Sequence, residues 1–221
     1  MISITTLTLA TIVALEPQVF QFQSETVSYQ DMGKRTIATE LVQIVTSGSE
    51  ILHVVVRLDT PLKNNQVLTL NEHGFALQKS LGGQAYIAAC DPTLLQPFEI
   101  LNTLDIKELR PLEPTWKLHQ FLADGRIPTW TMPIPISRAQ KHDPPVAVYA
   151  MYHEDVDVEL AAQTASLDLA AKTRSIIQTT NTVVMELPYS AIFTLIEDDQ
   201  VLYIEPALPK FSELNNSNRV V

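Results

Sequence analysis

The sequence contains a single cysteine, Cys90, among its 221 residues. A disulfide within the chain and a zinc site built from several cysteines are therefore excluded. Only six glycines stand against fourteen prolines, which favours stiff, extended connections over tight glycine turns. The histidines are scattered and lack the spacing of metal ligands: His53, His73, His119, His142 and His153. We therefore expect no cofactor and no metal site.

Positive charge is also scarce. The chain carries 15 Lys and Arg against 25 Asp and Glu, a formal net charge of −10, and it has no basic stripe with interleaved aromatic residues. Phosphate backbones would repel such a chain, which excludes nucleic-acid binding, whereas a basic or neutral protein partner would be complementary. With 46% hydrophobic and 18% charged residues, the composition is that of a folded globular protein.

Catalytic signatures are missing as well. The closest approach to a nucleophile turn is Ser47-Gly48-Ser49, which lacks the Gly-x-Ser-x-Gly pattern and is predicted to be a polar loop. The start of a helix explains the acidic residues from Glu154 to Glu159. An exposed turn explains Glu197-Asp198-Asp199. His153 could titrate between pH 5 and 8, but it is expected to be a surface histidine with no switching role. An enzyme acting through acidic groups is the weakest alternative, because no groups are predicted to converge.

The first fifteen residues form an apolar, threonine-rich run that is too short for an ordinary transmembrane helix. Its length suits a signal peptide with Ala14 near the cleavage point, although no Lys or Arg precedes it and position 12 is Ile. One interpretation is a leader within residues 1–24, with secretion or delivery to the cell envelope and no membrane association of the mature form. The alternative is an N-terminal strand, which the β-branched residues favour.

An internal duplication is the most informative feature. Residues 51–118 and 146–214 both begin with a β-prone strand, ILHVVVRL in the first and VAVYAMYH in the second. A helix is predicted next, after Pro61 in one copy and over Val156–Ser166 in the other. A pair of β-segments follows in each copy: Ala76–Ser80 with Gln84–Ala89, and Ser175–Thr179 with Val183–Leu187.

The two copies also end alike. A second helix is predicted to open at Asp91-Pro92 in the first copy and at Pro188-Tyr189-Ser190 in the second. A last strand follows, and there Glu108–Pro114 aligns with Gln200–Pro206, so that each copy closes on Glu-Pro. Both then continue with a lysine and an aromatic residue.

The order β-α-β-β-α-β predicts an α+β protein made of two tandem ferredoxin-like units. The units would cover residues 46–120 and 146–221, joined by a proline-rich linker over 123–145 that argues against tight pairing of the copies. Each unit would place both helices on one face of a four-stranded antiparallel sheet and leave the other face uncovered. A strand near Val19–Phe22 and a short helix near Thr39–Val45 are predicted ahead of the first unit.

The second copy resembles the propeptide of bacterial subtilisin-like serine proteases. The resemblance is carried by four elements and by the segment after them: Val146–Tyr152, Thr179–Met185, Tyr189–Glu197, Val201–Pro206, then Leu208-Pro209-Lys210 and Asn215–Val221. The last two look like the entry into a catalytic domain. The first copy resembles the same module through Glu113-Pro114 and Trp116-Lys117-Leu118.

The resemblance implies that the chain itself is not an enzyme, whereas its full-length precursor would be a secreted subtilisin-like serine endopeptidase. The implied partner is the subtilisin-like catalytic domain, in cis or in trans. The propeptide would act as intramolecular chaperone and inhibitor, with its sheet packed on the protease and its tail in the substrate cleft. The implied partner-binding residues are Tyr152, Tyr203, Glu205, Leu208, Pro209, Lys210, Phe211, Ser212, Glu213 and Leu214.

Two alternatives remain open from the sequence. The first is a tandem ferredoxin-like module that binds a ligand or a protein and has no protease partner. The second is a viral or phage structural protein, which suits the β-rich, Thr- and Gln-rich composition but does not account for the matching Glu-Pro endings.

Overall fold

The computed structural model describes residues 19–22, 24, 26–48, 50–132 and 142–208. Within them the chain is a mixed α+β protein with two four-stranded antiparallel sheets, a two-stranded hairpin and six α-helices. The strands are β1 Val19–Gln21, β2 Thr26–Ser28, β3 Leu52–Leu58, β4 Phe75–Gly82, β5 Ala85–Cys90, β6 Ile106–Pro111, β7 Pro145–Tyr152, β8 Lys172–Ile177, β9 Thr182–Pro188 and β10 Val201–Pro206. The helices are α1 Lys34–Thr46, α2 Asn64–Glu72, α3 Pro97–Thr103, α4 Gln120–Ala123, α5 Val158–Asp168 and α6 Tyr189–Leu195.

The predicted order of strands and helices is confirmed, but two helices of the first half begin later than the sequence indicates. Helix α2 starts at Asn64 instead of next to Pro61. Helix α3 starts at Pro97, because the Asp91 carboxylate accepts a hydrogen bond from the Thr93 backbone N–H at 2.9 Å and closes a local turn. Asp91 therefore ends the strand without capping the helix.

The first sheet has the strand order β4-β5-β3-β6. Its core lies between one sheet face and the helices, and α1 supplies Ile37, Leu41 and Ile44, which are spaced to share one helical face. Strand β3 adds Val54 and Val56 from alternate positions. The helix predicted near Thr39–Val45 is thus longer than expected, and it is part of the first half's core.

The second sheet has the strand order β8-β9-β7-β10. Helices α5 and α6 cover one face, with Ala161, Ala165 and Ile192 among the buried contacts. Leu118 and Leu122, from the segment that connects the two halves, also pack in this core. Each core is therefore completed by residues from the chain ahead of the first strand of its sheet.

The two sheets share their pairing registers. Val54 of β3 lies opposite Ala88 and Pro111, and Val148 of β7 lies opposite Met185 and Pro206. The register irregularities between the first and last strands of each half also match, falling at the ends of β3 and β7. Pro111, not Pro114, is thus the counterpart of Pro206. The alignment of Glu113-Pro114 with Glu205-Pro206 is wrong, because the buried alternation of the strand sets the register.

The face of each sheet opposite its main helices is called here the open face. In the first sheet the open face is covered by the chain's own residues: Val55 and Trp116 are buried there, and Phe22, Val27 and Tyr29 from the hairpin segment pack against them. The Phe22 and Trp116 rings stack with centroids 4.9 Å apart. The expectation of an uncovered face is therefore wrong for the first half.

The proline-rich segment is packed where the structure describes it. Ile127 contacts the second core, and Thr131, in a 3₁₀ helix over Thr129–Thr131, is buried. Residues 133–141 lie outside the described part, as do residues 1–18 of the predicted leader. The two halves are joined by hydrogen bonds from His53 to Asp155 and Asp199, contacts that the linker-based inference against tight pairing did not include.

Candidate functional site: the junction of the two sheets

Two histidines meet where the sheets join. The ring of His53, in β3, stacks on the ring of His153, which follows β7, with centroids 3.6 Å apart and planes 6° from parallel. Both side chains are almost completely buried, at 2% and 1% exposure. The prediction that His153 lies at the surface is therefore wrong.

Carboxylates from the second half hold His53 on both sides. The Asp199 carboxylate contacts His53 Nδ1 at 2.6 Å and accepts the His53 backbone N–H at 2.9 Å. Asp155 contacts His53 Nε2 at 3.0 Å and also accepts a hydrogen bond from Gln78 of β4. Asp199 was predicted to lie in an exposed turn. Its carboxylate accepts the backbone N–H of His53, the residue of β3 directly before the part that pairs with β6.

The two rings have opposite electrostatic environments. Burial opposes charge on His53, but hydrogen bonds to Asp155 and Asp199 outweigh it and raise the pKa of His53 above its usual value. Burial and the neighbouring charge of His53 lower the pKa of His153 to about 2. The hydrogen bond between Asp155 and His53 lowers the pKa of Asp155 to about 2, although the partial burial of this carboxylate acts in the opposite direction. The cluster therefore favours an imidazolium at His53 and a neutral ring at His153.

A buried lysine completes the junction. Lys117 is 2% exposed, and its Nζ donates a hydrogen bond to the Asp198 carbonyl at 2.9 Å. Burial lowers its pKa, although Asp199, Asp198 and Glu197 attract the charge. Next to it, the His119 backbone N–H donates to the Ile204 carbonyl at 2.9 Å. The segment that follows the first sheet is thus hydrogen-bonded to β10.

A cleft of about 800 Å³ opens beside this junction. Gln78, Lys79 and Ser80 of β4 form one wall, and the open face of the second sheet forms the other, with Tyr149, Met151 and Glu205. A smaller, more apolar cavity of about 290 Å³ shares Lys79, Ser80 and Leu202 with the cleft and is lined by Trp116, Leu112 and Tyr203 as well. The lining mixes polar and apolar side chains.

The residues expected to bind a partner are distributed unevenly. Tyr152 is buried in the second core, and Tyr203 is 5% exposed in the wall of the smaller cavity, with no hydrogen-bond partner for Oη among the described residues. Glu205 is half-buried in the cleft, and Leu208 is exposed. Pro209, Lys210, Phe211, Ser212, Glu213 and Leu214 lie outside the described residues.

The other candidate groups have structural roles. Asp157 caps α5 by accepting the backbone N–H groups of Glu159 and Leu160 at 3.0 and 3.1 Å, which confirms the helix-start interpretation for this residue. Asp155 of the same acidic run contacts His53 and Gln78 instead. Ser47 donates its hydroxyl to the Ile44 carbonyl at the end of α1. Within the described ranges, no group of three or more His, Cys, Asp or Glu could hold a metal ion.

None of the helices in the described part of the chain combines the length and the apolar character that a membrane crossing requires. In comparisons with known proteins, no family model, no curated protein and no solved structure matches this chain.

Proposed function

We propose that the chain is a duplicated, non-catalytic binding protein made of two ferredoxin-like units. More specifically, we propose that it is the propeptide of a secreted subtilisin-like serine protease. It binds the catalytic domain, assists its folding and blocks its substrate cleft with the segment from Leu208 onward. The observation that carries this proposal is the difference between the two open faces.

The duplication is supported by the shared registers. Each half has the strand order of a split β-α-β unit, with the fourth strand and the third on either side of the first. Leu109 opposite Val56 and Ile204 opposite Ala150 fill matching places. Chance convergence on the same strand order, register and irregularity in both halves is a poor alternative explanation.

The open faces differ at matching positions. In the first sheet Arg110, opposite Val55, packs over the Trp116 ring at 4.6 Å and contacts buried Glu108 at 3.0 Å. Its counterpart in the second sheet is Glu205, opposite Tyr149, and there the face is a half-exposed cleft wall. A partner therefore finds the first open face occupied and the second available. Glu205 offers a negative charge to the amino-terminal ends of partner helices.

The exit of the chain suits a strand-like tail. Strand β10 is at the edge of the second sheet, the Ala207 N–H still donates to the Ala147 carbonyl at 2.9 Å, and Leu208 is exposed. A segment leaving such an edge can bind in a substrate cleft as an added strand, with backbone hydrogen bonds that give affinity. A product-like segment held there excludes substrate.

The test is inhibition of a purified subtilisin-like protease by the full chain. A chain ending at Leu208 should lose at least tenfold in inhibition and keep its urea midpoint, because the removed residues follow the last strand. Glu205→Gln should weaken inhibition, whereas Glu99→Gln, exposed on α3 on the helix side of the first sheet, should not. Absence of inhibition by the full chain at micromolar concentration would refute the proposal.

A second candidate is a tandem binding module with no protease partner, and the cleft of about 800 Å³ between the sheets favours it. Clefts of this size between two units commonly accept ligands or peptides. In that case substitutions at Gln78 and Tyr149 would alter binding, while the residues after Leu208 would be dispensable. The truncated chain therefore discriminates between the two functions.

A further inference from the structure

We propose that His53 and His153 form a pH-operated latch between the two sheets, closed while only His53 is protonated and opened when His153 also takes a proton. The latch is defined as these two rings with Asp155 and Asp199. It does not depend on the proposed function, because the contact lies within this chain.

The geometry leaves no place for a second charge. The rings lie face to face at 3.6 Å, and each is supplied by a different half of the chain. Both nitrogens of His53 are engaged by carboxylates, at 2.6 and 3.0 Å. His153 Nε2 is buried and has no hydrogen-bond partner among the described residues. A proton on His153 would therefore be unsatisfied and would face an imidazolium directly.

The surrounding charges favour the same distribution. His53 faces Asp155 and Asp199 from the second half. His153 faces three cations and one carboxylate: His53, Lys117, Lys79 and Asp155. These groups come from β3, from β4, from the connecting segment and from the loops that precede α5 and β10. The carboxylates thus favour a proton on His53, and the lysines oppose one on His153.

The direction of the pH effect follows from linkage. His153 has a pKa of about 2 when the junction is closed and regains about 6.5 when exposed. Below pH 6.5 the open form binds one more proton than the closed form. The ratio of open to closed molecules therefore rises about tenfold for each unit by which the pH falls. His53 acts on the alkaline side: its raised pKa stabilises the closed form below pH 6.5, and this is lost as the pH rises through the raised value.

Opening would act on the cleft. The His53 contacts from β3 and the Gln78–Asp155 hydrogen bond from β4 join the first sheet to loops beside the second sheet's open face. When they break, the wall formed by Gln78, Lys79 and Ser80 is released, while the connection through Lys117 and Leu118 keeps the halves tethered. Mild acid therefore widens access to the second open face.

The His53 backbone amide is a direct reporter, since it donates across the junction to Asp199. In the full chain we would measure amide exchange by NMR between pH 5 and 6.5, corrected for the intrinsic rate and referenced to amides of β5. In the wild type we expect protection of the His53 amide to decrease about tenfold for each unit by which the pH is lowered. In His153→Phe, which keeps a stacked ring without a titrating nitrogen, protection should be independent of pH.

His142→Gln is the matched control, because that histidine is exposed, and it should behave as the wild type. Should His153→Phe fail to fold, ring chemical shifts of the wild type decide the question: His153 must remain neutral at pH 5 while the junction is closed. Equal pH dependence in wild type and His153→Phe, or a His153 ring that titrates near 6.5 without loss of His53 protection, would overturn the latch.

Discussion

Val54 and Val148 occupy equivalent positions in their two sheets. Each is in the first strand of its half, and each lies opposite the proline that ends the last strand, Pro111 for Val54 and Pro206 for Val148. Both side chains face the helices and are buried at 3% exposure or less. The two valines therefore occupy equivalent places in the cores of the two halves.

Replacing either valine with alanine should have a similar effect. Val54→Ala and Val148→Ala each remove two buried methyl groups and should lower the free energy of unfolding by about 2 kcal/mol. Urea denaturation checks both. Val42→Ala, on the exposed side of α1, is the control and should change stability by less than about 0.5 kcal/mol. A loss for one core variant only would contradict the equivalence.

Much of the fold could be predicted because local patterns specify it. The β-prone sequences of β3 and β7, and the paired β-segments that follow each of them, predict strands and hairpins without knowledge of the tertiary structure. The alignment of the endings failed for a physical reason. A matching Glu-Pro pair is a surface feature, whereas the buried residues Leu109 and Ile204 set the register.

The candidate site was less predictable. The sequence singles out Glu205, which does line the cleft, but gives no signal for His53. That histidine stands in an ordinary strand pattern, and its partners, His153 and Asp199, lie about a hundred residues or more away along the chain. Their meeting depends on how the two halves pack, which no local periodicity encodes.

The covered open face of the first sheet predicts unequal roles for the two tryptophans. Trp116 is 4% exposed and stacks on Phe22, whereas Trp130 is 55% exposed. Trp116→Ala should lower the free energy of unfolding by about 3–5 kcal/mol, and Trp130→Ala by less than about 1 kcal/mol. Chemical denaturation measures both losses. The fluorescence of Trp130→Ala, which comes from Trp116, should be blue-shifted relative to that of Trp116→Ala, which comes from Trp130. Equal losses would mean that the face is not covered in solution.

Gly74 should tolerate no side chain. It has a φ of +71°, and a Cβ there would lie 2.8 Å from the backbone nitrogen of Leu95. Gly74→Ala should therefore cost about 2 kcal/mol or more, from the left-handed conformation and the backbone contact together. Gly33→Ala is the control, since a Cβ at Gly33 meets nothing within 4 Å. A thermal melt of Gly74→Ala that coincides with the wild type would contradict this placement.

Asp199→Asn should make the stability of the junction less dependent on pH. The asparagine can still accept the His53 backbone N–H, but it removes one of the two charges that raise the pKa of His53. We expect the pKa of His53, followed by its ring chemical shifts, to fall. Because a raised histidine pKa stabilises the fold below 6.5 and this is lost as the pH rises through the raised value, the deficit of the variant should be largest near pH 6 and should shrink toward pH 9. Asp168→Asn, at an exposed position at the end of α5, should match the wild type at both values. A deficit of equal size at pH 6 and pH 9 would mean that Asp199 acts only as a neutral hydrogen-bond acceptor.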